Sequence, residues 1–317
     1  MATWILPVAA LGIGWVLLVW SANKFVTGAA TLAERWRLSP LVIGMVVVGF
    51  GTSAPELLVS SIASWQGASG IALGNVVGSN ILNITLILAL AMLLSPLKVD
   101  TSLNRVQLPL LLGITVIVWG LGWDGTLSRL EAGGGLLLFT IWVGRAILGS
   151  RTSHDPAAEG IVTPDHSPSH PAWSTLLGLV VLLIGSRFLV WGAVDLARSA
   201  GLSELVIGLT LVGLGTSLPE LASAIVSARR GQSELVLGNI VGSNLFNLLA
   251  VGSVAGLIRP LETSGDLLFR DLPVSLGVTL LLMLFAGGRA WRGELQRWEG
   301  GVLLCVYLAY TLWLFLG

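Results

Sequence analysis

Gly51-Thr52-Ser53-Ala54-Pro55-Glu56 and Gly215-Thr216-Ser217-Leu218-Pro219-Glu220 are one hexapeptide written twice, 164 residues apart. The likeness extends outward without a gap, from Ser39 to Asn83 in the first copy and from Ser203 to Asn247 in the second. Each copy ends on Leu-Gly-Asn-x-Val-Gly-Ser-Asn-x-x-Asn, as Leu73 to Asn83 and as Leu237 to Asn247. Identities gather in these polar cassettes while the apolar filler between them drifts. A duplicated scaffold would keep its packing positions, so this pattern marks a duplicated site.

Composition says where such a site lies. The 317 residues are 54% hydrophobic and only 11% charged, and the mean hydropathy is +0.88, far above that of a soluble domain. Apolar runs of bilayer-crossing length recur along the chain, and none has the short alternating pattern of a barrel strand. The chain reads as an all-α polytopic membrane protein. A net charge of zero argues against a nucleic-acid role. The single cysteine, Cys305, rules out a disulfide framework and is expected to be a small buried thiol. Trp4, Trp36, Trp173 and Trp298 fit interfacial anchors among the 13 tryptophans. The N-terminus lacks a signal-peptide pattern, so its apolar run is expected to remain as a span.

Apolar runs between charged breaks predict ten spans, near 5–33, 40–65, 70–95, 107–122, 131–149, 173–198, 204–229, 233–257, 272–288 and 300–316. Residues 150–172, rich in Pro, Ser, His and Asp, read as a linker between a first repeat of five helices, 1–149, and a second, 173–317. His154, His166 and His170 fall in that linker and are expected to be solvated. Five is odd, so the second repeat must enter the membrane from the opposite side. The expected fold is therefore an inverted 5+5 repeat with broken helices in spans 2 and 7, the build of many secondary transporters. With the N-terminus outside, Arg35, Arg37, Lys98, Arg105, Arg145, Arg151, Arg229, Arg230, Arg289, Arg292 and Arg297 face the cytoplasm. Only Arg129, Arg198, Arg259 and Arg270 face the other side. This basic bias predicts external termini and a cytoplasmic linker.

Glu56 and Glu220 fall inside spans 2 and 7, where a carboxylate is costly without a ligand or a proton. Each follows a proline, which frees the carbonyl four residues back, at Gly51 or Gly215. Freed carbonyls, Thr and Ser hydroxyls and a carboxylate make an all-oxygen cage, tolerated at this depth only under cover of protein. In spans 3 and 8, Ser79 with Asn83 and Ser243 with Asn247 are four apart and share a helix face. Gly74, Gly78, Gly238 and Gly242 permit close helix approach. Oxygen donors with two carboxylates suit a hard cation such as Ca²⁺, and no His or Cys nearby serves zinc or copper. Two carboxylates balance one Ca²⁺, two Na⁺ or two protons, the equivalence an exchanger needs. One kinked helix with a buried Glu is as easily packing as function; two inverted copies, each with its Ser-Asn helix, are not. Asn75, Asn80, Asn239 and Asn244 either bind ion or hydrogen-bond backbone. Lys24 and Arg187 are expected to snorkel, and Asp195 to lie at the interface.

At these residues the sequence resembles the cation/calcium antiporter superfamily, in its prokaryotic sodium/calcium exchanger branch. The likeness covers both signature motifs and the whole ten-span plan. It implies an antiporter that expels Ca²⁺ using inward Na⁺, with four ion sites built on spans 2, 3, 7 and 8 and with spans 1 and 6 sliding over them. It also implies central ligands at Glu56, Glu220, Asn83 and Asn247, oxygens from Thr52 and Thr216, flanking sodium ligands at Ser53, Ser79, Ser217 and Ser243, and backbone carbonyls at Gly49 and Gly213. Asn247 stands where some sodium/calcium exchangers have Asp, and the potassium-dependent branch has Asp at motif positions that are Asn here. Potassium dependence is not expected. The linker is too short for the calcium-sensing domains of animal exchangers.

The expectation is a Na⁺/Ca²⁺ antiporter of a cell inner membrane, with no cofactor, no enzymatic activity and no obligate protein partner. The alternative is a Ca²⁺/H⁺ antiporter on the same scaffold. A diacid hydrolase using Glu56 and Glu220 as acid and base leaves the Asn-Ser helices without a role, and a channel does not need the inverted repeat.

Overall fold

The apolar runs fold into helices whose ends fall where the sequence changes character. The computed structural model describes residues 4–152, 168–200, 213–287 and 293–316. Helix α1 runs Ile5–Trp36 and ends at Arg37, whose φ of 54° turns the chain ahead of Ser39 and Pro40. The next span is broken. Helices α2 (Pro40–Thr52) and α3 (Ala54–Trp65) meet at 47° across Ser53. Then come α4 (Ser69–Leu94), α5 (Leu103–Asp124) and α6 (Arg129–Thr152). The second half holds α7 (Pro171–Ser199), α8 (Gly213–Thr216), α9 (Leu218–Arg229), α10 (Ser233–Ile258), α11 (Leu267–Gly287) and α12 (Arg297–Leu316). Among the described residues seven helices are long and apolar enough to cross a membrane, or eight with the bent α2–α3 pair. The chain is a multi-pass helical membrane protein. Most of the linker, the start of the seventh predicted span, Arg289 and Arg292 lie outside the described residues.

Burial sorts the helices. In α10, 89% of the apolar window is inside the protein and in α4, 72%, against 28% in α1 and α7 and 11% in α6. The first two therefore form the core and the others its lipid-facing coat. Core side chains such as Ile81, Ile84, Ile87, Val236, Val241 and Leu245 form one continuous cluster. Outside it, α1 and α7 pack antiparallel along their whole length. A Cβ on Gly14 would lie 2.8 Å from the backbone N of Leu189, one on Gly178 2.6 Å from that of Phe25, and one on Gly192 2.7 Å from the carbonyl of Pro7. Small residues at such crossings let backbones touch where lipid supplies no hydrophobic drive.

Four two-residue strands tie the halves together at the helix ends. In β1 (Leu97–Lys98) and β4 (Glu294–Leu295), Leu97 pairs with Leu295; in β2 (Thr126–Leu127) and β3 (Leu261–Glu262), Leu127 pairs with Leu261. Residue 97 falls on 261 at the repeat offset and residue 127 falls on 295 at an offset four residues longer, so exchanging the two halves maps one ribbon onto the other once that insertion is allowed for. The helices that follow β2 and β4 are capped alike. Ser128 N donates to Glu131 Oε2 at 2.8 Å, and Gln296 N to Glu299 Oε2 at 2.7 Å, as in a capping box.

One expectation changes and others gain detail. Cys305 is exposed on the outer face of α12, not buried: hydropathy cannot tell a core-facing position from a lipid-facing one. Gly238 and Gly242 do admit a close approach, since their Cβ atoms would lie 2.4 Å from Leu41 O and from Met45 Cα; the repeat equivalents of Leu41 and Met45, residues 205 and 209, lie outside the described residues, so the same expectation for Gly74 and Gly78 is not tested. The four anchor tryptophans are exposed at helix ends, and Lys24 stacks over the Trp20 ring at 5.9 Å.

Candidate functional site

Both breaks come from the same local chemistry. Pro55 and Pro219 bring no N–H, so the helix ahead of each cannot complete its ladder. The residues at the breaks adopt matching conformations, Ser53 at φ −84°, ψ 11° and Ser217 at φ −91°, ψ 7°. Thr52 Oγ1 donates to Val48 O at 3.0 Å. Beyond each break a new helix begins with its glutamate in the first turn, Glu56 on α3 and Glu220 on α9. The positive end of a helix dipole favours a carboxylate there. Both glutamates are buried, each 1% exposed.

The two copies interlock by exchanging hydrogen bonds. Ser53 Oγ donates to Glu220 Oε1 at 2.8 Å, and Ser217 Oγ to Glu56 Oε1 at 3.2 Å. The glutamates lie close enough to repel one another. Asn75 Nδ2 donates to Glu56 O at 3.1 Å and to Ser60 Oγ at 2.9 Å; Asn239 Nδ2 makes the equivalent bonds to Glu220 O at 3.5 Å and Ser223 Oγ at 3.0 Å. Across α4 and α10, Asn80 Nδ2 donates to Asn244 O at 3.1 Å and Asn244 Nδ2 to Asn80 O at 3.3 Å. The contacts are reciprocal, which a two-fold relation between the copies requires.

This network decides which atoms remain open. Asn83 Nδ2 donates to Asn244 Oδ1 at 2.9 Å, and Asn247 Nδ2 to Asn80 Oδ1 at 3.1 Å. Both amides are thereby held with nitrogen toward the neighbouring helix. Among the described residues five buried side-chain polar atoms lack a hydrogen-bond partner: Glu56 Oε2, Glu220 Oε2, Asn83 Oδ1, Asn247 Oδ1 and Gln232 Oε1. Four of the five belong to the two cassettes, and all four are acceptors. A buried polar atom left unpaired costs about 1–3 kcal/mol, more when charged. Native proteins concentrate such costs where a ligand repays them. Two carboxylate and two amide oxygens form a donor set for a hard cation. No group of three or more His, Cys, Asp or Glu suited to a metal occurs among the described residues, so the amides are needed to complete it.

The flanking residues divide. Ser243 Oγ donates to Gly49 O at 3.1 Å, Ser53 N to the same carbonyl at 3.1 Å and Thr52 Oγ1 at 3.4 Å, so both lone pairs of that oxygen are already used. Ser79 is buried, Thr216 is buried and bonded, and Gly213 opens α8. Sequence reasoning left Asn75, Asn80, Asn239 and Asn244 undecided between ion binding and hydrogen bonding; in the structure all four amides donate hydrogen bonds to neighbouring backbone or hydroxyl oxygens. It missed an aromatic cluster beside the site altogether. Phe50 stacks on Phe246 at 4.9 Å, with Phe139 and Trp142 against them. The α1–α7 pair passes over both breaks, for a Cβ on Gly51 would meet Leu179 at 3.0 Å and one on Gly215 would meet Val190 at 2.4 Å.

Comparison with known proteins agrees with this geometry. A family model described as "Sodium/calcium exchanger protein" matches residues 6–148 and 170–316, one segment for each half. The chain is 38% identical over 313 residues to the putative antiporter CaxA of Alkalimonas amylolytica, covering 96% of this chain and 97% of that protein. It is 36% identical over 323 residues to the inner membrane protein YrbG of Escherichia coli, covering 98% of each. A solved structure of the sodium-calcium exchanger NCX_Mj, soaked with Na⁺ and Sr²⁺, superimposes with a TM-score of 0.84 at 32% identity, over 96% of this chain and 97% of that one.

Proposed function

The chain belongs to the sodium/calcium exchanger family, and from that premise we propose that it exchanges Na⁺ for Ca²⁺ across the cell inner membrane by alternating access, extruding Ca²⁺. The observation that carries the reading is the set of four buried acceptors without donors, Glu56 Oε2, Glu220 Oε2, Asn83 Oδ1 and Asn247 Oδ1. Ca²⁺ takes six to eight oxygens with tolerant geometry, so the Thr52 and Thr216 oxygens would complete its shell. Ser53, Ser79, Ser217 and Ser243, with the Gly49 and Gly213 carbonyls, would serve the flanking Na⁺ positions. Loading either ion set neutralises the two carboxylates, and the loaded form then crosses between states more easily than the charged one.

The architecture we propose for this cycle is ten spans in two inverted repeats, 1–149 and 173–317, joined by a cytoplasmic linker at 150–172, with both termini external. The reciprocal hydrogen bonds and paired ribbons support it. Helices α1 and α7 would slide as a unit over the breaks to open one side at a time. Nothing in the cycle calls for a cofactor, a catalytic residue or a protein partner.

A second reading rests on the same orphaned oxygens: a proton on each Glu Oε2 would also neutralise the site, making the exchange Ca²⁺/H⁺. Uptake of ⁴⁵Ca²⁺ into proteoliposomes separates the two. Uptake that requires internal Na⁺ and vanishes in Glu220→Gln supports the first reading. Uptake driven by a pH gradient without Na⁺ supports the second. Retention of transport in both Glu56→Gln and Glu220→Gln would refute the ligand assignment.

A further inference from the structure

A second cavity, away from the cation site, carries its own chemistry. It measures about 1000 Å³ and lies between the start of α2, the start of α5, the end of α6 and the start of α10. One end is polar, with Arg105, Arg145, Asp100, Glu234 and Ser102; the rest is apolar, with Leu110, Ile114, Leu138 and Ile141. Asp100 and Glu234 are close enough to repel. Among the described residues Arg145 and Glu234 are in no ion pair, although both line the one cavity. The mouth faces outward through apolar surface, for Val106, Leu138 and Ile141 are about half exposed. From Arg105 to Ile114 along α5, and from Arg145 to Leu138 along α6, the slot runs roughly 10–13 Å at 1.5 Å per residue. That is close to one leaflet of a hydrocarbon core about 30 Å thick.

We propose that this slot binds one glycerophospholipid with an ethanolamine headgroup: phosphate at Arg105 and Arg145, primary ammonium at Asp100 and Glu234, and an acyl chain along the α5–α6 seam. Guanidinium forks match phosphate oxygens, and basic pockets between helices are lipid-headgroup sites. Two carboxylates among the arginines select a zwitterion over an anionic headgroup. They also select an ammonium that can donate hydrogen bonds over a quaternary one that cannot. A second slot of about 430 Å³ adjoins the first and shares Ile114, Leu138 and Leu249 with it, but Glu131 is its only charged lining residue. It offers nothing to a phosphate. The floor of the larger slot includes Leu41 and Met45 of α2, the backbone that rests on Gly238 and Gly242. A bound lipid would thus brace the half-helix that leads to the first break.

Native mass spectrometry of the full chain in detergent tests this, with phosphatidylethanolamine, phosphatidylcholine and phosphatidylglycerol of matched chains added in turn. The readout does not depend on which ions are exchanged. Ethanolamine lipid should be retained about fivefold more than either of the others. Arg145→Ala should lower that retention severalfold, and Glu234→Gln should bring it to the level of the choline lipid. Leu138→Trp, which fills the seam and leaves the charges alone, should lower retention of all three. Equal retention of the three lipids, preference for the glycerol headgroup, or wild-type retention in Leu138→Trp would each overturn the assignment. Matching thermal unfolding of every variant to the parent keeps loss of fold from being read as loss of lipid.

Discussion

Replacing Asn80 with alanine tests whether its side chain orients the proposed ligand Asn247. Asn80 Oδ1 accepts from Asn247 Nδ2 at 3.1 Å, and that bond points Asn247 Oδ1 away from α4, with no donor of its own. Without it, the amide turns between two nearly equivalent orientations, one of which presents N–H groups to a cation. Asn80→Ala also removes the Nδ2 bond to Asn244 O at 3.1 Å, but the bond that orients Asn247 is neutral and buried, worth about 0.5–1.5 kcal/mol, which corresponds to about two- to tenfold weaker apparent Ca²⁺ affinity. Because Asn244 Oδ1 holds Asn83 in the same way at 2.9 Å, Asn244→Ala should give a loss of similar size. The assay is initial-rate ⁴⁵Ca²⁺ uptake against Ca²⁺ concentration in proteoliposomes, with the half-saturating concentration as readout and the maximal rate as control. An unchanged half-saturation in Asn80→Ala, or a large effect in one variant and none in its counterpart, would refute the reasoning.

Three further outcomes follow from the geometry. Ser53→Ala strips Glu220 Oε1 of its donor at 2.8 Å, a bond to a charged group worth about 1.5–3 kcal/mol; Na⁺ half-activation of exchange should rise at least about tenfold, and by a similar factor in Ser217→Ala. Gly242→Ala puts a Cβ 2.4 Å from Met45 Cα and O, both backbone or backbone-bound, so overpacking should cost about 1–3 kcal/mol and lower the unfolding temperature in detergent; an unchanged transition would mean α2 and α10 are not in contact there. Arg230 Nη1 donates to Thr27 Oγ1 at 2.7 Å and Nη2 to Asn23 Oδ1 at 3.0 Å, latching α1 to the end of α9. Arg230→Gln should alter the maximal exchange rate about two- to tenfold while half-saturation for Ca²⁺ stays put; the reverse pattern would place Arg230 in ion binding.

Much of this was legible in the residues because the duplicated stretches hold the polar groups that a membrane interior tolerates least. Glu56, Glu220, Asn83 and Asn247 declare themselves by being costly where they stand, and Gly-Thr-Ser-x-Pro locates both breaks. Helix ends came within a few residues wherever a charged turn interrupts an apolar run, as at Trp36–Pro40. The interlocking was not legible. A repeat states that two segments are alike and says nothing of their touching, so the exchange of Ser53 for Ser217 across the glutamates needed coordinates. Nor could burial be read for Cys305 or the α10 face, since lipid and protein core select the same side chains. The short ribbons of Leu97 with Leu295 and Leu127 with Leu261 are too brief to leave a period in the sequence.

Anomalous diffraction from crystals soaked in Ca²⁺, and in parallel in Sr²⁺, tests the central claim most directly. A single strong peak should lie about 2.3–2.6 Å from Glu56 Oε2, Glu220 Oε2, Asn83 Oδ1 and Asn247 Oδ1, and should vanish in Glu220→Gln. A peak bound elsewhere, or one that persists in that variant, would contradict the assignment of these four oxygens to the transported ion.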